Sequence, residues 1–386
     1  MTATKVKRPA PRRIELRRWA HQPVVVAVAA MVAAGLIGLL LAAAAGAAPG
    51  ATMTALWEGM FGTDYAIGAS LNVAATLMLV AVGFTIAHRA GLVNVGGEGQ
   101  ICAGGIAATA IGTTLTGASA AITLPAVLLG AAAAGWLWAA IAAWLRVRRG
   151  TSEIITTLLL NFVGLAAVLL VVHEPALLRQ PVTSSETLPQ SEPLTAAAHL
   201  PLLGIERSPA TIALWIAVAA ALGTAILLRH TALGTRLRAV GLNPDAAARL
   251  GVPVQRLRFL SLSGAGAFAG LAGGLLVATA PFVLAEGFSS GYGFSGLVVG
   301  LLARGSLAAV VAVSLLLGFL VSGGINLQLA AEVPASTIAV VESLMIVFIA
   351  GAALWTRRSP RSAPPAPQPD SAQAGTDTTD LAGARR

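Results

Sequence analysis

The stretch from Gly91 to Gln100, GLVNVGGEGQ, lies between two strongly apolar runs of the chain. It contains four glycines and places a carboxylate, Glu98, among them. Glycine tolerates backbone conformations that other residues avoid, and it exposes backbone groups that a polar side chain can bind. We therefore expect a helix break here, at the start of a helix inside an apolar bundle.

The composition of the whole chain predicts such a bundle. The 386 residues have a mean hydropathy of +0.80, and 11% are charged, against about 25% in soluble proteins. The sequence predicts an all-α, polytopic integral membrane protein in the lipid bilayer. The single cysteine, Cys102, excludes an intrachain disulfide. Nucleic-acid binding is not expected, because the arginines are scattered over short loops without interleaved aromatic residues.

Hydropathy predicts about ten transmembrane helices, most of them long enough to cross a core of about 30 Å. The eighth is too short to cross as a regular helix, so whether it crosses or re-enters stays open. The predicted spans are 24–46, 65–87, 91–116, 120–145, 152–172, 211–228, 259–281, 293–303, 306–322 and 337–355.

The basic residues predict the orientation of these spans. With a cytoplasmic N-terminus, all lysines and arginines except Arg179 and Arg207 fall on the cytoplasmic side, as the positive-inside rule requires. Both termini are then cytoplasmic, and the first span is a retained helix rather than a signal peptide. The predicted regions are a basic cytoplasmic tail (1–23), a transmembrane domain (24–355) with an extracytoplasmic loop (173–210) and a cytoplasmic loop (229–258), and a disordered cytoplasmic tail (356–386).

Five spans precede the long outer loop and five follow it. Because the number in each half is odd, the second half enters the membrane from the opposite side, which predicts two inverted five-helix halves. The third span of each half is rich in glycine: GLVNVGGEGQ in the first, GYGFSGLVVGLLARG in the second. Such paired segments are typical of a translocation path, although close helix packing explains them equally well. For Gly266, Gly270 and Gly274, at GxxxG spacing, we expect packing.

Glu98 has two interpretations. It is either a clamp that accepts hydrogen bonds from freed backbone N–H groups, which we favour, or a residue that lines the path. The segment GTSEIITTLLLN places Glu153, Thr157 and Asn161 on one helical stripe, with Thr151 or Ser152 as the cap. Asn161 lies deep in the span, so it either bonds across helices or lines the path.

We find no arrangement of residues typical of catalysis, of a metal site or of a bound cofactor. A phosphate-binding loop of the GxxxxGK[ST] type needs a lysine, and the only lysines are residues 5 and 7. The chain is therefore not expected to be an enzyme.

The sequence of the predicted cytoplasmic loop (229–258) indicates a short helix, and we favour a helix that docks on a protein partner over one that lies on the membrane surface. Asn243 is suited to the N-cap, Pro244 to the first helical position and Asp245 to the first turn, while Gly251 ends the helix. The alanines between them, including Ala247 and Ala248, favour helix but are too weakly apolar for strong membrane binding.

This loop resembles the coupling-helix loop of ABC-importer permeases that serve simple sugars, nucleosides and branched-chain amino acids. GLVNVGGEGQ is similar to the family signature G-x-x-N-x-G-x-E-G-Q, and SEIITTLLLN to x-E-x-I-x-T-x-x-L-N. GYGFSGLVVGLLARGS and SGGINLQLAAEVPAS also resemble family segments, most closely those of the nucleoside branch. One departure is ARGS at 303–306, where a glycine-containing acidic or amide turn is expected. The resemblance covers roughly residues 65–355.

The resemblance implies a permease subunit of an ATP-driven importer. A separate ABC ATPase would bind the 229–258 loop, an extracytoplasmic binding protein would deliver the solute, and a second permease, identical or different, would complete the path. The residues expected to line or support the path are Asn94, Glu98, Gln100, Glu153, Thr157, Asn161, Tyr292 and Phe294. The uncharged ones among them, Asn94, Asn161, Tyr292 and Phe294, suit a neutral polar or aromatic solute and do not separate a nucleoside from a sugar. The alternatives are a self-sufficient secondary transporter driven by an ion or proton gradient, and a membrane enzyme.

Overall fold

The structure, a computed structural model, describes residues 48–182 and 187–330, with residues 36, 40 and 43 as isolated positions. The predicted tails (1–23 and 356–386) and the tenth span (337–355) lie outside these residues. The first span (24–46) does so apart from those three positions.

Helices make up nearly all the regular structure of the described residues, which contain only isolated bridges and no sheet. A five-residue π-helical turn at Glu58–Gly62 follows the first helix, and a 3-10 turn lies at Ala196–Ala198. The all-α expectation is confirmed for this part of the chain. The α-helices are α1 (Pro49–Trp57), α2 (Asp64–Arg89), α3 (Gly97–Thr114), α4 (Ala120–Arg149), α5 (Glu153–His173), α6 (Ala213–His230), α7 (Ala232–Leu242), α8 (Pro244–Arg249), α9 (Val254–Val277), α10 (Tyr292–Ala303) and α11 (Leu307–Ala330).

Six of these helices are long and apolar enough to cross a membrane: α2, α4, α5, α6, α9 and α11. Helices α2 and α9 are the most buried of the six and form the centre of the bundle, whereas α5 exposes most of its apolar surface. An apolar exterior around a packed interior is the arrangement that a lipid environment requires.

Small residues set the closest helix contacts. A Cβ on Gly270 of α9 would lie 2.7 Å from the Cα of Gly135 on α4, and Gly266 abuts the same turn of α4. The backbone of Gly270 also meets Gly104 of α3. The packing role predicted for the glycines of this helix is confirmed, because their missing side chains let three backbones approach.

The two ends of the bundle differ in charge. Eleven arginines lie at the end where α2, α4, α6 and α10 finish and α5 and α9 begin, which we call the arginine-rich end. They are Arg89, Arg146, Arg148, Arg149, Arg229, Arg236, Arg238, Arg249, Arg256, Arg258 and Arg304. Among the described residues, the opposite end has only Arg179 and Arg207, beside six acidic residues: Glu58, Asp64, Glu174, Glu192, Glu206 and Glu286.

Two helices, α3 and α10, start inside the bundle. The chain reverses at Gly91, runs without helical structure through 92–96 and becomes helical at Gly97. In the same way, the non-helical segment 278–291 leads to α10, whose 12 residues span about 18 Å. The helix predicted over 91–116 therefore begins six residues later than expected, because its first part is not helical.

The helix contacts recur in pairs. Helix α9 packs on α4 as α11 packs on α2, and α9 packs on α3 as α10 packs on α2. Helix α2 also packs directly on α9, and α3 directly on α10. These are the second, third and fourth spans of the two predicted halves. If α2, α3 and α4 are exchanged with α9, α10 and α11, the same set of contacts results.

Candidate translocation site

The N-termini of α3 and α10 meet in the interior of the bundle. A Cβ on Gly97 would lie 2.9 Å from the carbonyl oxygen of Gly293, and a Cβ on Gly293 would overlap the backbone nitrogen of Glu98. Only glycine permits this approach. From the meeting point, α3 runs to the opposite end and α10 runs to the arginine-rich end, so two positive helix-dipole ends face each other.

Glu98 lies between these two N-termini and binds the second one. Its Oε1 accepts the N–H of Gly291 at 3.1 Å, and its Oε2 accepts the N–H of Gly293 at 2.7 Å. The side chain is 2% exposed, and the Ser289 hydroxyl is a further partner. Its bonds are those of a clamp, with one difference from expectation: the donors are Gly291 and Gly293, at the start of α10, rather than the glycines beside Glu98 in the sequence.

Asn94 and Gln100 bond to each other and so tie the non-helical segment 91–96 to the first turn of α3. Their side-chain amides form a reciprocal pair, with Asn94 Nδ2 donating to Gln100 Oε1 at 2.9 Å and Gln100 Nε2 donating to Asn94 Oδ1 at 3.0 Å. Asn94 Oδ1 also accepts the N–H of Gly96. Both residues are buried, so these bonds satisfy amides that would otherwise be costly to bury.

The polar stripe of α5 holds the same segment from the side. Asn161 accepts the N–H of Gly99 and donates to the carbonyl oxygen of Val95, each at 2.9 Å. Thr157 accepts the N–H of Val95 at 3.3 Å. Of the two roles left open for Asn161, the structure shows bonding across elements, to the backbone groups that the break in the helix leaves without intrahelical partners.

Glu153 belongs to the arginine-rich end rather than to this network. Its carboxylate pairs with Arg146 at 3.1 Å across the turn between α4 and α5. Ser152 occupies the N-cap position of α5 as predicted, but its side chain makes no capping hydrogen bond. The ion pair therefore links two helix ends, and Arg146 also binds the carbonyls of Gly150 and Thr151.

The two aromatic candidates lie on the first turn of α10. Tyr292 is buried, with 8% of its surface exposed, whereas Phe294 is 37% exposed. They flank Gly293, so the structure places both beside the meeting point. Among all the residues described, no group of His, Cys, Asp and Glu could hold a metal ion.

The predicted short helix in the 229–258 loop is present as α8. Asn243 Oδ1 accepts the N–H groups of Asp245 and Ala246, at 3.1 and 3.0 Å, and Pro244 occupies the first helical position. Ala247 is buried and Ala248 is exposed. Gly251 has a φ of +77° and reverses the chain after the helix.

Helix α7, the eleven-residue helix that precedes α8, was not predicted from the sequence. Its signal was present: Thr231 caps it by accepting the N–H of Gly234, and the apolar residues Leu233, Leu237 and Val240 recur at helical spacing. The loop is thus a helical hairpin rather than an isolated two-turn helix.

The helical hairpin α7–α8 contacts the start of the non-helical segment 91–96. A Cβ on Gly91 would lie 3.3 Å from the Cα of Gly241 in α7, and a Cβ on Gly241 would overlap the carbonyl oxygen of Arg89. Nearby, Arg89 donates to the carbonyl of Gly305 at 3.2 Å, where the ARGS turn places Arg304 and Gly305 in left-handed conformations. At the arginine-rich end, Arg89 therefore lies beside both the segment that leads to α3 and the turn that follows α10.

Comparison with known proteins finds a permease family and several permease relatives. Residues 66–350 match the family described as branched-chain amino acid transport system / permease component. The guanosine ABC transporter permease protein NupP of Bacillus subtilis is 30% identical over 81% of this chain and 89% of its own length. The nucleoside ABC transporter permease protein NupB of Lactococcus lactis is 30% identical over 85% and 90%.

A third relative comes from an archaeal sugar system. The glucose ABC transporter permease protein TsgB13 of Haloferax volcanii is 31% identical over 72% of this chain and 73% of its own length. No solved structure matches the chain significantly.

Proposed function

This chain belongs to the family of branched-chain amino acid transport system permease components, and from that premise we propose that it is the membrane-spanning permease of an ATP-driven importer for a nucleoside or simple sugar. The named relatives are permeases of ABC transporters for guanosine, nucleosides and glucose. The secondary-transporter and enzyme alternatives lose their support, because the family consists of transport subunits whose energy source is ATP.

The observation that carries the proposal is the meeting of α3 and α10 at Glu98. Transporters build solute sites from discontinuous helices near the middle of the bilayer, where half-helix N-termini and non-helical backbone line a path. Two such helices with opposite directions, joined through one carboxylate, fit that design. In this proposal Glu98, Asn94, Gln100, Thr157 and Asn161 support the path and keep the break in place.

The recurring helix contacts support ten spans in two inverted halves. Helices α2 to α5 would be spans two to five of the first half, and α6, α9, α10 and α11 would be spans six to nine. The paired contacts of α9–α4 with α11–α2, and of α9–α3 with α10–α2, are those expected of a two-fold axis in the membrane plane.

The charge difference between the two ends supports the orientation. Arginines accumulate on the cytoplasmic side of membrane proteins, so the arginine-rich end would be cytoplasmic, and the loop around 173–210 would face outward. An even number of spans then leaves both termini in the cytoplasm.

The helical hairpin α7–α8 would be the docking surface for a separate ATPase. It lies at the arginine-rich end, and its exposed leucines, Leu242 at 77% and Leu250 at 82%, are unusual for a loop that contacts only water. The other partners would be a second permease subunit, identical or different, and an extracytoplasmic binding protein. We expect no cofactor on this chain.

The test is uptake of labelled guanosine and glucose by cells that produce this chain with its ATPase, before and after ATP depletion that preserves the ion gradients. We expect uptake of one solute class to be lost with ATP. Uptake that persists on the gradient alone would contradict the proposal.

A matched pair of variants tests the docking surface. Ala248→Trp adds bulk to an exposed position of α8, and Ala196→Trp does the same at an exposed position of the opposite end. We expect the first to abolish uptake and solute-stimulated ATP hydrolysis and the second to preserve both. Normal uptake in Ala248→Trp would show that the ATPase binds elsewhere.

A further inference from the structure

We propose that a cavity beside the half-helix junction binds the base of a nucleoside and favours nucleosides over sugars. This inference rests on the proposed transport function and names its solute. The cavity has a volume of about 290 Å³ and lies between α3, α5 and the residues before α10. It is lined by Cys102, Leu165, Ala166, Val168, Leu169, Glu286, Gly287, Phe288 and Ser289.

The position of the cavity is that of a solute site. Cys102 lies one turn beyond Glu98 on α3, and Ser289 bonds to the Glu98 carboxylate. The cavity therefore adjoins the place where the two half-helices meet, on the side towards the opposite end of the bundle. With that end facing outward, as proposed, a solute released by a binding protein reaches the cavity before it reaches the junction.

The size of the cavity suits one small solute. Small-molecule pockets typically measure about 300–1,000 Å³, so this cavity is at the lower limit of the range. It accommodates a ring system, and an attached sugar would extend from its mouth.

The chemistry of the lining favours a planar heteroaromatic ring over a sugar. Five of the nine lining residues are aliphatic or aromatic, and the charged or hydroxyl-bearing ones are only Glu286 and Ser289. A hexose would bury several hydroxyl groups here without partners, and each would cost free energy. A nucleobase has two apolar faces and a polar edge, so it needs only the few polar groups present.

Phe288 provides the surface for such a ring. Gly105 of α3 has no side chain, and a Cβ there would overlap the Phe288 ring. The ring thus lies directly on the α3 backbone, beside the cavity that it lines. Aromatic rings stack on one another with a gain beyond their buried area, and the nearby Glu286 carboxylate is an acceptor for the N–H groups of a base.

The first test uses substrate protection of a single introduced cysteine. Leu169 lines the cavity, whereas Glu174, the first residue after α5, is exposed at the same end of the bundle and does not line it. Leu169→Cys and Glu174→Cys are labelled with a maleimide in membranes that contain the full chain and its partners. The native chain, whose only cysteine is fully buried, provides the background.

We expect saturating inosine to slow the labelling of Leu169→Cys several-fold, ribose at the same concentration to leave it unchanged, and neither solute to affect Glu174→Cys. Equal protection by ribose, protection of both positions or protection of neither would overturn the inference. Uptake by the native complex separates the two proposals. If inosine is taken up with ATP but Leu169→Cys is not protected, the cavity is wrong and the transport function stands.

A second variant tests the same cavity by uptake kinetics, without chemical labelling. Gly105→Ala displaces the Phe288 ring, whereas Gly264→Ala adds the same methyl group to α9 where nothing lies within 4 Å. We expect Gly105→Ala to raise the KM for nucleoside uptake about tenfold and Gly264→Ala to leave it unchanged. An unaltered KM in Gly105→Ala, in a chain that reaches the membrane in normal amount, would contradict the role of Phe288.

Discussion

The segments that lead to the two half-helices solve the same problem in different ways. Segment 91–96 is short and non-helical, and its polar groups are bound by α5, by the Asn94–Gln100 pair and by its own turn. Segment 278–291 is longer. Its first part bonds to the outer loop, through contacts such as Leu200 N–H to the Ala278 carbonyl, and its last part folds into turns.

The backbone conformations show the same contrast. Phe282, Gly287, Ser290 and Gly291 of the second segment have positive φ angles, whereas the first has one such residue, Gly91. The turns at 286–291 bond to themselves and to Glu98. The first segment is thus a braced element that fixes α3, and the second is a series of turns whose last part lines a cavity. Four substitutions distinguish a braced first segment from a second segment that is built of turns.

The largest effect is expected at the contact between the half-helices. Gly293→Ala places a methyl group on the backbone of Glu98, and neither backbone has room to move because both are held in a packed interior. We expect the folded chain to be lost from the membrane, as measured by its amount after detergent extraction and size-exclusion chromatography. Gly264→Ala is the control, and a normal yield of Gly293→Ala would show that the two N-termini are not tightly packed.

Removal of the Glu98 carboxylate should be the next most severe change. Glu98→Ala leaves the N–H groups of Gly291 and Gly293 without their acceptors, and the loss of such charge-assisted bonds costs about 3–5 kcal/mol. Glu98→Gln keeps one acceptor oxygen, so it should fall between the native chain and Glu98→Ala in thermal unfolding. Equal stability of both variants would contradict the two-donor clamp.

Asn161 tests the bracing of the first segment. Asn161→Leu retains the volume but removes the partners of the Gly99 N–H and the Val95 carbonyl, at a cost of about 2–4 kcal/mol. Thr157→Val removes the longer 3.3 Å bond and should cost about 1 kcal/mol. The order of the thermal unfolding midpoints should be native, Thr157→Val, then Asn161→Leu. A reversed order would mean that the stripe acts on something other than this segment.

The smallest effect is expected in the turns of the second segment. Ser290 has a φ of +46° and is exposed. A left-handed conformation costs a non-glycine residue about 1–2 kcal/mol, and glycine avoids that cost at an entropic penalty of about 0.5–1 kcal/mol. Ser290→Gly should therefore stabilise the chain slightly, with a small rise in the unfolding midpoint. A clear destabilisation would show that the serine side chain supports the turn.

Much of this architecture could be predicted from the sequence, because hydrophobic length and periodicity are local signals. Most ends of the predicted spans that fall within the described residues lie close to observed helix ends, and the α8 cap follows from Asn243 and Pro244. The span predicted over 259–281 is displaced towards the N-terminus, as Val254–Val277, and the helix predicted over 306–322 continues to Ala330. Helix α7 was missed because Gly234 and Gly241 weaken its helical signal, although its apolar spacing and its cap were present.

The partners of the polar residues could not be predicted, because they come from remote parts of the chain. Glu98 binds residues almost 200 positions away, and Asn161 binds residues about 65 positions away. Local pattern indicates that such groups must be satisfied, but only the three-dimensional arrangement identifies the donor. The same limit applies to the cavity, whose lining comes from three separate segments.

The contact between Gly91 and Gly241 has a mechanical consequence. Long side chains between two elements can change rotamer and absorb a displacement, whereas backbone against backbone cannot be compressed. We therefore expect a displacement of the α7–α8 hairpin to reach Gly91 without being absorbed by side-chain rotamers. Gly91 is the first residue of the braced segment 91–96, which leads directly to Glu98, so the hairpin and the junction of the half-helices should move together.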